Sequence, residues 1–305
     1  MGLKNKNIQW MVSAFDRGAG KPGAAKGPES LLKALNSAHI SSKQVMFNTA
    51  VPEGNYSGTY AKHIESIIDI NLHLEALVHN AITAGEFPIV LTGDHSNAIG
   101  AIHGFMKANK GMQVGVIWID AHADLHSPYT TPSGNMHGMP LAVLLKQDNL
   151  SAQKNPIDVP TAKFWNQLKD HPSTLKPNNL VFIGLRDAEA EELALIDQLN
   201  IKAYTPELIA AQGIEAVLKG SLEYLSHCDA LYVSFDVDSM DPSISTGTGT
   251  PVSNGLDFEQ TQYLLKALIN APQVAALEIT EINPEIEQNN QPMHEVVMQL
   301  LKPML

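Results

Sequence analysis

Cys228 is the only cysteine in 305 residues. It excludes an intrachain disulfide and any cysteine-rich metal framework, and thiol use this sparse fits a reducing compartment. Basic residues are also few: 20 Lys and Arg against 32 Asp and Glu leave a formal net charge of −12. Phosphate backbones and anionic membranes are bound through basic faces, so no nucleic-acid and no membrane partner is expected. No apolar run approaches the roughly 18 residues of a membrane span, and the run after Met1-Gly2-Leu3-Lys4-Asn5-Lys6-Asn7 is too short for a signal peptide. The expectation is a soluble cytoplasmic protein whose partner is a small molecule.

Hydrophobic residues make up 44% of the chain and charged residues 17%, enough to bury a large core. Neither a linker nor a repeat divides it, so one domain over residues 1–305 is expected. Short apolar runs read as buried strands at Ile8–Phe15, Phe87–Leu91, Val114–Ile119, Leu180–Leu185, Leu231–Phe235 and Val274–Ile279. Apolar residues recur at three and four in Ser57–Ala84, Ala98–Ala108, Ala188–Leu199, Ile214–Leu225 and Phe258–Ile269, the spacing of amphipathic helices. The alternation predicts an α/β fold, a three-layer α/β/α arrangement around a mainly parallel sheet. Ligands collect beyond the carboxyl ends of such strands. Two loops rich in Gly, Pro, Ser and Thr, Ser127–Gly138 and Ser239–Gly255, follow strands with acidic ends, while Gln147–Pro160 reads as a surface connection.

Three of the strands run into metal-binding side chains. Ile117-Trp118-Ile119 leads into Asp120-Ala121-His122-Ala123-Asp124, and residues two apart in an extended segment point the same way, so three ligands can converge. Tyr232-Val233-Ser234-Phe235 leads into Asp236-Val237-Asp238, and Pro88-Ile89-Val90-Leu91 is followed by Gly93-Asp94-His95. Carboxylates packed this closely repel and are costly to bury unless cations compensate. The set His95, Asp120, His122, Asp124, Asp236 and Asp238 mixes hard oxygen with imidazole nitrogen and contains no thiolate. It suits Mn²⁺ and tolerates Co²⁺, Ni²⁺, Fe²⁺ or Zn²⁺, and it is rich enough for two ions.

Together with Gly93-Asp94-His95-Ser96, Asp241-Pro242 and Glu281-Ile282-Asn283-Pro284, these pieces resemble the arginase, or ureohydrolase, family in order and spacing over nearly the whole chain. The resemblance implies an arginase-like fold and two Mn²⁺ ions, one held by His95, Asp120, Asp124 and Asp236, the other by His122, Asp120, Asp236 and Asp238. It further implies attack of a metal-bridging hydroxide on a guanidinium carbon to give urea and an amine, L-ornithine when the substrate is L-arginine. Asp124 would relay the nucleophile's proton and Glu281 would pair with the guanidinium. Ser133-Gly134-Asn135-Met136-His137-Gly138 is similar to the arginase loop, which places Ser133 and Asn135 at the α-carboxylate and His137 in proton transfer. Thr250 matches a position near the guanidinium. Homo-oligomers, trimers or hexamers, are usual in the family.

Three positions depart from the usual arginase pattern. His126 stands where Asn usually contacts the α-carboxylate, Glu189 replaces an Asp that meets the α-amino group, and Thr92 replaces a glycine. Glu192 fits either the amino-group site or a solvated acidic face. The departures keep other substrates open: agmatine, guanidinobutyrate or formimidoylglutamate. A non-catalytic metal-binding homologue and a one-zinc deacetylase are the readings of another class. His63, His73, His79 and His103 read as surface or packing residues, Cys228 as a small structural one, and the Gly18–Gly27 loop lacks a phosphate-binding fingerprint.

Overall fold

Val114–Ile119 forms strand β4, and every side chain in it is buried, as a parallel strand covered on both faces requires. In the computed structural model, which describes residues 6–38, 45–48, 54–288 and 291–305, seven further strands join it. These are β1 (Ile8–Ser13), β2 (Val45–Phe47), β3 (Phe87–Thr92), β5 (Leu180–Ile183), β6 (Lys202–Tyr204), β7 (Ala230–Asp236) and β8 (Val274–Thr280). The sheet order is β2-β1-β3-β8-β7-β4-β5-β6, and all pairings are parallel. The six expected strands are present with ends moved by one or two residues. The two unanticipated ones have three residues each, too few to show a period. Residues 1–5, part of the stretch judged too short for a signal peptide, lie outside the described residues.

Side chains alternate between the two faces of the sheet. Ile117, Ile119, Val233 and Ile89 pack in one core with α1 (Gly27–Ser37), α8 (Ile214–Tyr224), α9 (Phe258–Asn270) and α10 (Met293–Leu301). Val116, Trp118, Tyr232 and Val90 pack in the other with α2 (Ile64–Thr83), α3 (Ala98–Ala108), α4 (Pro140–Leu144) and α6 (Ala190–Leu199). Three layers result, as expected. Helices α5 (Val159–Lys169) and α7 (Pro206–Gln212) complete the described set. Asp158 caps α5 by accepting the Thr161 amide, so the expected Gln147–Pro160 connection ends two residues inside a helix.

The helix expected over Ser57–Ala84 begins only at Ile64. Ser57 Oγ accepts the His63 amide at 2.8 Å, Gly58 and Ala61 form a short antiparallel bridge, and His63 takes a left-handed φ of 55°. Residues 57–63 therefore form a turn, despite their apolar spacing. That turn abuts the mouth of the site described next.

Candidate active site

Strands β3, β8, β7 and β4 are neighbours at the centre of the sheet, and their carboxyl ends carry His95, Glu281, Asp236–Asp238 and Asp120–Asp124. His95 Nδ1 lies 3.1 Å from Asp120, 3.1 Å from Asp124 and 3.2 Å from Asp236. His122 Nδ1 lies 3.1 Å from Asp238 and 3.4 Å from Asp120. The structure thus brings together all six expected ligands: His95, Asp120 and Asp236 form one group and His122, Asp120 and Asp238 another, with Asp124 beside His95, so Asp120 is in both groups and Asp236, expected in both, is in one. The geometric reason differs from the one expected. Strand β4 stops at Ile119 and Asp124 has a φ of 51°, so a loop, not strand alternation, makes the ligands converge.

Behind the ligands stands a layer of support that the sequence motifs did not reveal. His95 Nε2 is 2.8 Å from Ser234 Oγ, which in turn donates to Glu278 Oε2 at 3.1 Å. A hydroxyl that donates to Glu278 accepts from His95, so Nε2 carries a hydrogen and Nδ1 is the nitrogen left to face the three carboxylates and, once free of its proton, a metal ion. Trp118 donates from Nε1 to Asp120 at 2.9 Å and stacks on His95 with ring centroids 4.0 Å apart. The signal for Glu278 is a single acid inside the apolar strand β8, where an unpaired charge would not be tolerated.

Burial raises the Asp236 carboxyl far above the usual range, and the charges of Asp238 and Asp120 add to the rise. Burial, followed by the charge of Asp120, lifts Asp124 to about 6. For His95 and His122 burial acts downward, but the surrounding carboxylates outweigh it and raise both imidazoles well above their ordinary value. His95 Nδ1 and Asp124 Oδ2 are buried with no hydrogen-bond partner among the described residues. Three carboxylate oxygens around one imidazole nitrogen call for positive charge between them, a proton in the metal-free site or a metal ion in its place. This donor set therefore fits divalent metal ions.

Above the cluster opens a cavity lined by His122, Asp124, His126, Ser133, Asn135, His137, Asp187, Glu189, Glu192 and Thr250, among others. Glu281, at a left-handed φ of 65°, accepts the His95 amide at 2.9 Å and faces His137 Nδ1 at 3.1 Å. Burial pulls the His137 imidazole down, but Glu281 outweighs that and raises it to about 9. Thr250 donates to Asp238 at 2.9 Å, and so braces a ligand. His126 points at two acids: its Nε2 meets Glu189 at 3.0 Å and Glu192 at 3.5 Å, and its Nδ1 meets Thr130 at 3.1 Å. Glu192 does not sit on a solvated face. Its carboxylate accepts the Leu125 and Glu189 amides and caps helix α6, which starts at Ala190 and not at Ala188.

Two cavity-forming residues escaped the sequence reading. Asp187 lines the cavity 3.7 Å from His122. Arg186 donates to the carbonyls of Gly184, Ser239, Asp238, Met240, Val252 and Ser253, tying the Ser239–Gly255 loop to the ends of β5 and β7. No motif announces such a role, because all its partners but Gly184 are carbonyls more than 50 residues away in sequence. A further cluster, Glu75, His103 and His171, lies outside the site. Its imidazoles stack at 3.8 Å with planes 17° apart, so their in-plane lone pairs cannot aim at one ion. His171 Nδ1 also accepts the Ser173 amide, which leaves the hydrogen on Nε2. His103 is a packing residue, as expected.

A parallel α/β/α sheet whose central strands end in a two-part carboxylate and imidazole cluster, under a cavity with an acid and a histidine beside it, defines a hydrolytic class of site built to hold metal ions. The family model of the Arginase family matches residues 9–305. Arginase from Staphylococcus aureus (strain COL) is 35% identical over 238 residues, which cover 77% of this chain and 73% of that protein. A crystal structure of arginase from Bacillus subtilis superposes with a TM-score of 0.82 at 30% identity, covering 98% of each chain. Entamoeba histolytica arginase in complex with L-ornithine gives a TM-score of 0.84 at 26% identity, covering 97% of each. The chain belongs to the arginase family, and it is an enzyme, a hydrolase of that family.

Proposed function

We propose that this single-domain enzyme hydrolyses L-arginine to L-ornithine and urea, with two Mn²⁺ ions held by His95, Asp120, His122, Asp124, Asp236 and Asp238. The observation that carries the reading is Glu281, a buried carboxylate placed between the cluster and His137 at the base of the cavity. Divalent cations bound at the cluster offset the carboxylate charge and bring the pKa of water toward neutrality. Glu281 pairs with the planar guanidinium and holds its carbon over the cluster. Water oxygen adds to that carbon, the bond to the ornithine nitrogen breaks, and the water protons are redistributed. Asp124 takes one, and His137, kept charged near neutrality by Glu281, gives one to the departing amine. Ser133 and Asn135 receive the α-carboxylate, and Glu189 and Glu192 face the α-amino group.

His126 supports a second reading. It already occupies the acids that would meet an α-amino group, an arrangement that suits a substrate without one, such as guanidinobutyrate. Urea release from L-arginine, agmatine and guanidinobutyrate, and product release from formimidoylglutamate, by the Mn²⁺-loaded protein, with metal content measured on the same sample, tests both. We expect arginine to be preferred by a wide margin with two Mn²⁺ per chain. No urea from arginine above background would sink the first reading. The same reading carries a cytoplasmic location and assembly into trimers or hexamers, which a sizing measurement checks. No helix among the described residues is long and apolar enough to cross a membrane.

A further inference from the structure

His126 is committed to Glu189 and Glu192, so the substrate's α-carboxylate loses a donor, and Ser133 and Asn135 are uncharged. A cation stands beside them. The turn of residues 57–63 reaches the loop through the Lys62 amide, which donates to Gly134 O at 2.9 Å, while Lys62 Nζ donates to Asn135 Oδ1 at 2.9 Å. Gly134, at φ 76°, lies so close that a Cβ there would be 2.1 Å from Thr59 O. On the other side, a Cβ on Gly20 would be 2.6 Å from Asn135 Nδ2. The Asn135 amide is thus held with its carbonyl toward Lys62 and its NH₂ toward the cavity it lines with Gly20. Among the described residues no carboxylate pairs with the Lys62 ammonium, in a chain with 32 acidic and 20 basic residues.

We propose that Lys62 is a specificity-determining residue, the cation that meets the substrate's α-carboxylate at the mouth, in the place left by His126. The inference rests on the arginine reading above. A carboxylate accepting from Asn135 Nδ2 lies one amide away from an ammonium that keeps two N–H groups free. Asp187 and Glu189 line the same cavity as Asn135, so with Lys62 beside Asn135 the mouth carries charges of both signs, as a zwitterionic amino acid does.

The test compares kcat/KM for L-arginine and L-argininamide, whose carboxylate is neutralised, in wild type, Lys62→Ala and Lys62→Arg. Lys62→Ala should lower the arginine value by roughly 5- to 20-fold, mainly through KM, less than a buried pair would give because Lys62 is exposed and screened. Argininamide should stay within about twofold, and Lys62→Arg should restore most of the arginine value. Rising salt should erode the arginine preference of wild type and leave that of Lys62→Ala unchanged. Equal losses on both substrates would reduce Lys62 to a brace for the loop and overturn the proposal. So would Lys21→Ala collapsing the preference while Lys62→Ala leaves it intact. Wild type that turns over neither substrate would remove the arginine reading itself, a distinct result.

Discussion

The floor and the mouth of this cavity are built by different rules. On the floor, His95, Asp120, Asp236 and Asp238 are at most 2% exposed, sit at the ends of three central strands, β3, β4 and β7, and are held from behind by Ser234, Glu278 and Trp118. At the mouth, the Asp187 and Glu189 side chains are 64% and 51% exposed and project from the segment that joins β5 to α6. A rigid sheet fixes the reacting chemistry while loops adjust the substrate. The departures from the arginase pattern at His126 and Glu189 both fall at the mouth. None falls on a ligand.

The largest expected effect strikes the floor. Asp236→Asn should lower activity by more than about 100-fold, beyond the range of a merely supporting residue, with a matching loss of metal. The same change should stabilise the metal-free protein by about 1–3 kcal/mol, because it removes an acid whose ionised form burial, Asp238 and Asp120 all oppose. Chemical denaturation in the presence of chelator reads the second effect. A variant that kept two ions, or lost stability without metal, would break the contrast between floor and mouth.

Next comes Glu278→Gln, which keeps the shape and removes the acceptor charge at the end of the chain from His95 through Ser234. Metal affinity should weaken by about 10- to 100-fold, measured by competition with a chelator. An unchanged affinity would show that Glu278 serves only Thr92 and Tyr232, its other partners.

These two residues also mark the limit of what the sequence discloses. Asp236 was legible because metal ligands lie next to one another in Asp236-Val237-Asp238 and in Asp120–Asp124. Glu278 was not, because its partners Ser234, Tyr232 and Thr92 sit on other strands and meet it only once the sheet order is known. The strands of the central sheet were legible through their length and continuous burial. Strands β2 and β6 were too short, and the Ser57–Ala84 period misplaced a helix start because spacing does not register the turn at Gly58. At the mouth the residue types were readable, but the direction of His126, which depends on Glu189 and Thr130, was not.

Acidity gives a graded test of the floor. His95 and His122 have proton affinities raised well above the ordinary imidazole range, and a bound metal must displace those protons. Metal affinity should therefore rise as the pH climbs above about 6.5 toward the raised folded values, by up to about tenfold per pH unit for each proton released. The linkage runs the other way without metal. Imidazoles whose folded pKa is raised stabilise the fold fully below about 6.5, and that contribution is lost as pH rises through the folded value. Chelated protein should thus lose stability over the interval in which metal binding strengthens. Flat affinity across it would mean that His95 and His122 carry no proton in the metal-free protein.

The smallest expected effect lies at the mouth, in His126→Asn. Asn is too short to reproduce the 3.0 Å contact of His126 Nε2 with Glu189, so the substitution frees that carboxylate for an α-amino group and returns an amide donor to the α-carboxylate side. Because Glu189 is half exposed, water screens what is gained, and the KM for L-arginine should fall by only about two- to fivefold with kcat unchanged. Guanidinobutyrate, which has no amino group, should gain less, so the ratio between the two substrates is the sharper measure. A rise in KM for arginine would show instead that His126 turns outward to hold the substrate itself, and that the mouth is arranged by the ligand and not by the loops alone.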